Sequence, residues 1–304
     1  VSVRVVRFVR DARFGLHDPG AFHPETPCRY DAVRGADVPD GVLVVPADRL
    51  ATDDEIGALH DPAWVARVLH GPTGPVDHET VISDHTAICV RRAVGAMLDA
   101  VDAAMRDGAR TFVAARPPGH HAHRDHGGGY CLVHHGAIGV AHALALGAER
   151  VAVLDLDAHH GDGTEATLGH DPRVWIASSH ERGLFPVESS DDRITEGGRV
   201  RRIALPPGCD DATFLDAWAP ALAALTAWRP ALIVVLWGLD AHVDDPMSSL
   251  ALTDAAFAAW LHAVVRIADE TAQGRIVAVL EGGYDLASLR RGVTHALRAL
   301  AQTP

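Results

Sequence analysis

The stretch Arg150-Val-Ala-Val-Leu-Asp-Leu-Asp-Ala-His-His-Gly-Asp-Gly163 decides how this chain reads. Its first half is a short continuous apolar run, the kind that is buried on both faces of a parallel sheet. Its second half, Asp155–Gly163, crowds three carboxylates and two imidazoles together. In open parallel sheets, ligands gather beyond the carboxyl ends of the strands. The same juxtaposition recurs three times. Thr111–Ala115 leads into Arg116-Pro-Pro-Gly-His-His-Ala122, and Ala231–Leu236 leads into Trp237-Gly-Leu-Asp-Ala-His-Val-Asp-Asp-Pro246. Arg275–Leu280 leads into Glu281-Gly-Gly-Tyr-Asp285. Chemistry is expected at these four strand ends.

Working outward, Gly41–Val45 and Val174–Ser178 read as further strands. Ala-rich amphipathic segments at Thr86–Arg106, Gly136–Leu146, Asp211–Trp228 and Asp254–Gln273 read as helices between them. Asp211 and Asp254 stand where N-caps are expected, Gly108, Gly147 and Gly274 follow the helix ends, and Pro220 should kink the third helix. Residues 1–8 read as a first strand rather than a signal peptide, because charges interrupt the apolar run. Alternating strands and helices predict one α/β domain over residues 1–304, a parallel sheet with helices on both faces. Asp11–Asp40 and Ser179–Arg201 read as long irregular stretches, which usually carry function.

Composition narrows the class. The 304 residues are 48% hydrophobic and 22% charged, as in an ordinary folded protein. With 40 acidic against 27 basic residues, the chain lacks the basic surplus of a nucleic-acid binder. No apolar run is long enough to span a membrane. The four cysteines form no CxxC pair, which points to a reducing compartment and a cytoplasmic location. Every basic residue is Arg, and Lys and Asn are absent, a bias that a GC-rich coding sequence accounts for. The 20 histidines stand out, seven of them between His120 and His142.

In extended chain, residues two apart point the same way, so Asp157 and His159 can converge on one metal ion. Asp240 can add a third ligand. Two carboxylates and an imidazole suit Zn²⁺ or Fe²⁺, and three protein ligands leave an open, catalytic position. Adjacent imidazoles at His120 and His121, each oriented by a carboxylate, meet the need of amide hydrolysis for a base and an acid. Tyr284 offers a hydroxyl to a developing oxyanion.

Together these motifs resemble the histone deacetylase family, in particular its class II-like and bacterial members, which include acetylpolyamine amidohydrolases. His23-Pro-Glu-Thr-Pro-Cys-Arg29 is similar to that family's HPExPxR signature, and Ala51-Thr-Asp-Asp-Glu55 through Trp64 to the segment that follows it. RPPGHHA, DLDxHHGDG, DxxxxDP and EGGY then follow in the family's order. The resemblance implies the three-layer α/β/α arginase/deacetylase fold. It also implies a Zn²⁺ held by Asp157, His159 and Asp240, with His121 as general base and acid hydrogen-bonded to Asp162. His120, paired with Asp155, would act electrostatically, and Tyr284 would hold the oxyanion. Tyr130 and Phe185 match an aromatic channel for the acylated amine, with Gly129 and Met247 beside it. Asp155, Asp157, His159, Ser178 and Ser179 fall where the family holds a structural K⁺.

The implied substrate is an acylated amine, whether an acetyl-lysine protein, an acetylpolyamine or a small metabolite. No nucleic acid or membrane partner is expected, and a homo-oligomer is open. The chain departs from the family at Val133-His134-His135, normally Phe-Asn-Asn, where His123, His126, His134 and His135 read as solvated or helix-capping side chains before they read as a second metal site. It departs again at Leu236-Trp237, which could repack the pocket floor. The short His70–Val81 segment and Met247 predict an open mouth without an ammonium-reading carboxylate. A two-manganese ureohydrolase on the same fold and a catalytically impaired binding protein are the rival readings.

Overall fold

The computed structural model describes residues 4–302. Eleven strands are present among them: β1 Val6–Val9, β2 Val42–Val45, β3 Gly74–Pro75, β4 Val81–Ile82, β5 Arg110–Val113, β6 Val151–Asp155, β7 Val174–Glu181, β8 Arg193–Ile194, β9 Val200–Leu205, β10 Leu232–Trp237 and β11 Ile276–Leu280. The α-helices are α1 Cys28–Arg34, α2 Asp53–Gly57, α3 Pro62–His70, α4 Thr86–Asp107, α5 His135–Ala145, α6 Asp162–Leu168, α7 Asp211–Trp228, α8 Asp254–Thr271 and α9 Leu286–Ala301. Of the expected first strand, β1 begins at Val6, and residues 1–3 lie outside the described residues.

Nine strands form one sheet in the order β2-β1-β5-β11-β10-β6-β7-β9-β8, while β3 and β4 make a separate hairpin. Every neighbouring pair in the large sheet is parallel except β8–β9, which is antiparallel. The expected parallel sheet therefore carries one antiparallel edge.

The alternation of side chains along each strand sorts the core into two layers. On β10, Ile233, Val235 and Trp237 join the cluster built by α1, α7, α8 and α9. Leu232, Val234 and Leu236 face the other way, into the cluster built with α4 and α5. The result is the expected α/β/α sandwich, and both faces of its central strands are dry. A smaller cluster ties α2, α3 and β4 to α4 under the loops at one end.

Local chemistry departs from expectation in detail. The N-caps of α7 and α8 are Asp210 and Thr253, one residue earlier than Asp211 and Asp254, and their side chains accept from the Thr213 and Ala255 N–H groups. Helix α7 includes Pro220, which is exposed. The irregular 11–40 stretch contains α1, and β7 continues to Glu181. No helix among the described residues is long and apolar enough to cross a membrane.

Phe112 on β5 is fully buried and meets the Phe8 ring edge-on, with centroids 6.0 Å apart. Phe112→Ala should lower stability by about 3–5 kcal/mol, read as a drop in the urea unfolding midpoint. An unchanged midpoint would mean that this layer does not carry the core.

Candidate active site

Because β5, β6, β10 and β11 are parallel, their carboxyl ends open on the same edge of the sheet. Asp155 is the last residue of β6, paired in register with Leu236 of β10 and Ser178 of β7. The chain then turns sharply, and Asp157 and His159 come forward to meet Asp240 from the loop after β10. His159 Nδ1 lies 2.9 Å from Asp157 Oδ1 and 2.9 Å from Asp240 Oδ2. One ligand atom from each of the three residues falls within 4.8 Å of the others, so this group can hold a metal ion. It sits where the sequence reading puts the ligands.

Electrostatics single out the same place. Burial drives Asp155 and Asp240 well above the usual carboxylate range, with the Asp157 charge adding to it. Asp157 is buried too, but the His120 and His159 imidazoles hold it well below. Burial opposes a charge on His159, yet its bonds to Asp157 and Asp240 raise it well above an ordinary imidazole. Buried carboxyls crowded together cannot all ionise without positive charge. A divalent cation is the natural complement of this donor set.

The tandem histidines lie above the metal-ligand group, with ring centroids 4.0 Å apart. His120 Nδ1 is 3.1 Å from Asp155 Oδ2, and His121 Nδ1 is 2.7 Å from Asp162 Oδ1. Asp162 is held ionised and only accepts, so the His121 ring donates to it through Nδ1 and presents Nε2 elsewhere. Burial and the neighbouring His120 lower the His121 pKa, with Asp162 opposing them. At Asp162, burial is outweighed by hydrogen bonds from His121 and His123, and the carboxyl is held far below its ordinary value.

A cavity of about 180 Å³ descends to these groups, lined by His120, His121, Asp157, His159, Gly129, Tyr130, Leu184, Phe185, Met247, Tyr284, Pro118 and Glu79. The expected channel residues are thus together. Gly129 has φ 51°, and a Cβ there would lie 2.4 Å from His121 Cδ2 and 3.1 Å from Phe185 Cε1. Only glycine fits between the His121 and Phe185 rings. The Tyr284 ring stands 5.8 Å from that of Tyr130. Burial, against the opposing charge of Arg29, raises the Tyr284 hydroxyl well above its usual pKa and keeps it a donor.

Leu236, Trp237, His134 and His135 all lie outside the cavity lining. Leu236 and Trp237 are buried in opposite core layers and line no part of the cavity. His134 caps α5, accepting from Ala137 N at 3.1 Å, and its Nε2 meets Thr164 Oγ1 at 2.8 Å. His135 Nε2 faces the Pro117 carbonyl at 3.3 Å. Ser178 Oγ is 3.4 Å from both Gly161 N and His160 Nδ1. These contacts, with Ser179 buried beside them, lend the expected K⁺ no support.

Four residues that the sequence reading did not assign shape the site. Glu79, from the short 70–81 segment, lines the cavity, and after burial its charge helps to raise the Tyr130 hydroxyl above its ordinary value. Arg29 is buried under the Tyr284 ring, 4.8 Å from its centroid, and donates to the Gly283 and Glu281 carbonyls at 2.7 and 2.5 Å. Asp245 Oδ2 accepts from the Tyr284 and Asp285 N–H groups at 2.5 and 2.9 Å. Glu281 Oε2 accepts from the Gly119 and His120 N–H groups at 2.6 and 3.1 Å, and burial pushes its carboxyl up to about 8. Arg29, Asp245 and Glu281 all lie inside quoted motifs, but spacing alone cannot tell which side chain supports which loop.

The Histone deacetylase domain profile matches residues 23–300. The chain is 33% identical over 308 residues to the uncharacterized protein slr0245 of Synechocystis, covering 97% of this chain and 99% of that one. It is 33% identical over 277 residues to the human protein named polyamine deacetylase HDAC10, covering 84% of this chain but 41% of that longer protein. The crystal structure of the HDA15 HD domain superposes with a TM-score of 0.90 at 25% identity, covering 99% of this chain and 89% of that one.

A Cβ at Gly282 would lie 2.5 Å from Asp157 Oδ2 and 2.6 Å from Asp240 Oδ2. Gly282→Ala should therefore cut divalent-metal stoichiometry well below that of the wild type while leaving the far-ultraviolet circular dichroism spectrum unchanged. Full metal binding by the variant would place the ion elsewhere.

Proposed function

The chain belongs to the histone deacetylase family, and on that premise we propose that it is a zinc-dependent amidohydrolase that removes acetyl, or a related small acyl group, from an amine nitrogen. The observation that carries this reading is the pairing of His120 and His121 with separate carboxylates directly beside a three-ligand group at the base of a narrow cavity. Asp157, His159 and Asp240 would hold the ion, and their buried, mutually repelling carboxyls fit a divalent cation, Zn²⁺ first and Fe²⁺ as the alternative. The chemistry that Zn²⁺ supplies at such a site is Lewis-acid polarisation of a carbonyl and of the water that attacks it.

The chain's own residues would do the rest. His121 donates through Nδ1 to Asp162, so Nε2 is free to take a proton from the attacking water and return it to the leaving amine. His120, held by Asp155, supplies a polar ring beside the reacting carbonyl. The Tyr284 hydroxyl donates to the oxyanion as the carbonyl becomes tetrahedral. Tyr130, Phe185, Gly129 and Met247 exclude water from the alkyl chain of the substrate. Four free cysteines, three of them buried, agree with a reducing compartment such as the cytoplasm.

Glu79 bears on the choice of amine. A carboxylate at the mouth favours substrates that carry a second positive charge, acetylpolyamines among them. Glu79→Gln should lower kcat/KM for an acetylated diamine about two- to fivefold, the worth of a partly exposed ion pair, and leave an uncharged acetyl-lysine amide nearly unaffected. Equal losses on both would remove Glu79 from charge reading.

Tyr284→Phe keeps the ring and removes the donor. Turnover should fall roughly 10²–10³-fold, with metal content and melting temperature near wild type. Assaying the metal-loaded protein on acetyl-lysine peptides, acetylpolyamines and guanidino compounds tests the reading as a whole. Turnover of guanidino compounds alone would favour the ureohydrolase, and near-normal turnover by Tyr284→Phe would sink the mechanism.

A further inference from the structure

Asp162 is shared. Its Oδ1 takes the His121 Nδ1–H at 2.7 Å, and its Oδ2 takes His123 Nε2 at 2.9 Å. His121 and His123 are two residues apart in a stretch whose intervening Ala122 is fully buried, and both rings reach the same carboxylate. We infer that His123 is a positioning residue for His121, acting through Asp162. The inference rests on the amidohydrolase reading for its kinetic consequence, but not for its geometry.

The terminal torsion of an aspartate is broad, so a carboxylate with one partner can rock and exchange its oxygens. A second donor on the other oxygen removes that freedom. His123 can serve as the fixed post because its own surroundings fix it in turn. His123 N donates to the His126 carbonyl at 2.9 Å, and His60 Nδ1 lies 2.8 Å from the His123 carbonyl. The His126 ring stacks on the His123 ring, with centroids 4.4 Å apart and planes 12° from parallel. His126 is in turn 2.8 Å from Asp125 Oδ1.

The other end is fixed as well. Asp162 opens α6, and the 120–122 backbone lies against the first turn of that helix. Thr164 N donates to the His120 carbonyl at 3.1 Å, and a Cβ at Gly163 would lie 2.6 Å from the Ala122 carbonyl oxygen. Only the Asp162 side chain is left to move, and His123 is the group that stops it. With Asp162 held, the His121 proton stays on Nδ1 and its Nε2 keeps one direction into the cavity. His123 itself does not line the cavity, so it touches no reacting atom.

The test uses His123→Ala and His123→Gln in the full chain, loaded with zinc. Glutamine can offer an N–H near the Nε2 position, and alanine cannot. His123→Ala should lower kcat about tenfold, the usual scale for a group that orients a working ligand or base, with KM, zinc stoichiometry and melting temperature unchanged. His123→Gln should restore most of the loss. Independently of turnover, the His121 Nδ1–H proton resonance should be sharp in the wild type and His123→Gln, and broadened by exchange in His123→Ala. Wild-type kcat with an unchanged resonance in His123→Ala overturns the inference. So does a loss that His123→Gln does not restore, or one accompanied by an equal change in KM, zinc or melting temperature. If the wild type turns over no acylated amine, the parent reading has failed, and the resonance alone decides whether His123 holds Asp162.

Discussion

Burying Asp155, Asp157, Asp240 and Glu281 at the ends of three adjacent parallel strands is the constraint on which the rest of this structure depends. Each carboxyl loses its hydration there, and an isolated buried charge is expensive. The surrounding backbone answers with N–H groups. Asp157 Oδ2 takes Gly282 N at 2.9 Å, Asp240 Oδ1 takes Ala158 N at 2.7 Å, and Asp155 Oδ1 takes Asp157 N at 3.2 Å. The first two bonds also tie one strand-end loop to another, and the third closes the turn after β6. The acidic residues that suit a cation are therefore the ones that assemble the loops around it. Removing one would leave unmatched N–H groups and a loosened loop as well as a missing ligand.

A second set of buried charges supports the first from below. Glu25 is fully buried between two arginines: it takes Arg29 Nη1 at 2.9 Å, and Arg116 Nε and Nη2 both at 2.6 Å. Arg29 then carries the Glu281–Gly283 backbone and the Tyr284 ring, and Arg116 opens the loop that ends in His120 and His121. One carboxylate from the N-terminal loop thus links Tyr284 to the tandem histidines. Its partners hold it below the ordinary glutamate pKa against the cost of burial. Breaking such a pair costs more than its formation gains, because the remaining charge is stranded. Through these pairs Glu25 ties the irregular N-terminal segment to the loops after β5 and β11.

Some departures from the expected pattern are absorbed by the scaffold, and others change the site. His134 and His135 occupy an interior corner in which polar side chains are useful, capping α5 and meeting Thr164 and the Pro117 carbonyl. Leu236 and Trp237 follow the strand's alternation into opposite core layers, and so never reach the cavity. Glu79 is different. It lies in a short hairpin held by Thr80, whose hydroxyl accepts from Tyr130 N at 3.1 Å, and by His23 Nε2, 2.7 Å from the Glu79 carbonyl. The hairpin that supports an aromatic wall of the channel also sets a charge beside it.

What the sequence determined by itself was whatever depends on near neighbours along the chain. Apolar runs ending in Asp, His and Gly announced buried parallel strands with chemistry at their carboxyl ends, and the Asp157–His159 spacing brought two ligands to one side. Asp157 with His159, the tandem histidines and Tyr284 stood out as candidates for that reason, and Asp240 as a candidate from the end of another strand. Tertiary structure alone decided what lies beside what across distant segments: Glu79 at the mouth, Arg29 under Tyr284, Glu281 on the His120 backbone, and His123 on the free oxygen of Asp162. Chain spacing says which way a side chain leaves the backbone. It does not say which distant loop waits there, because that is set by the strand order, β11-β10-β6, and by the packing of helices that no single segment encodes.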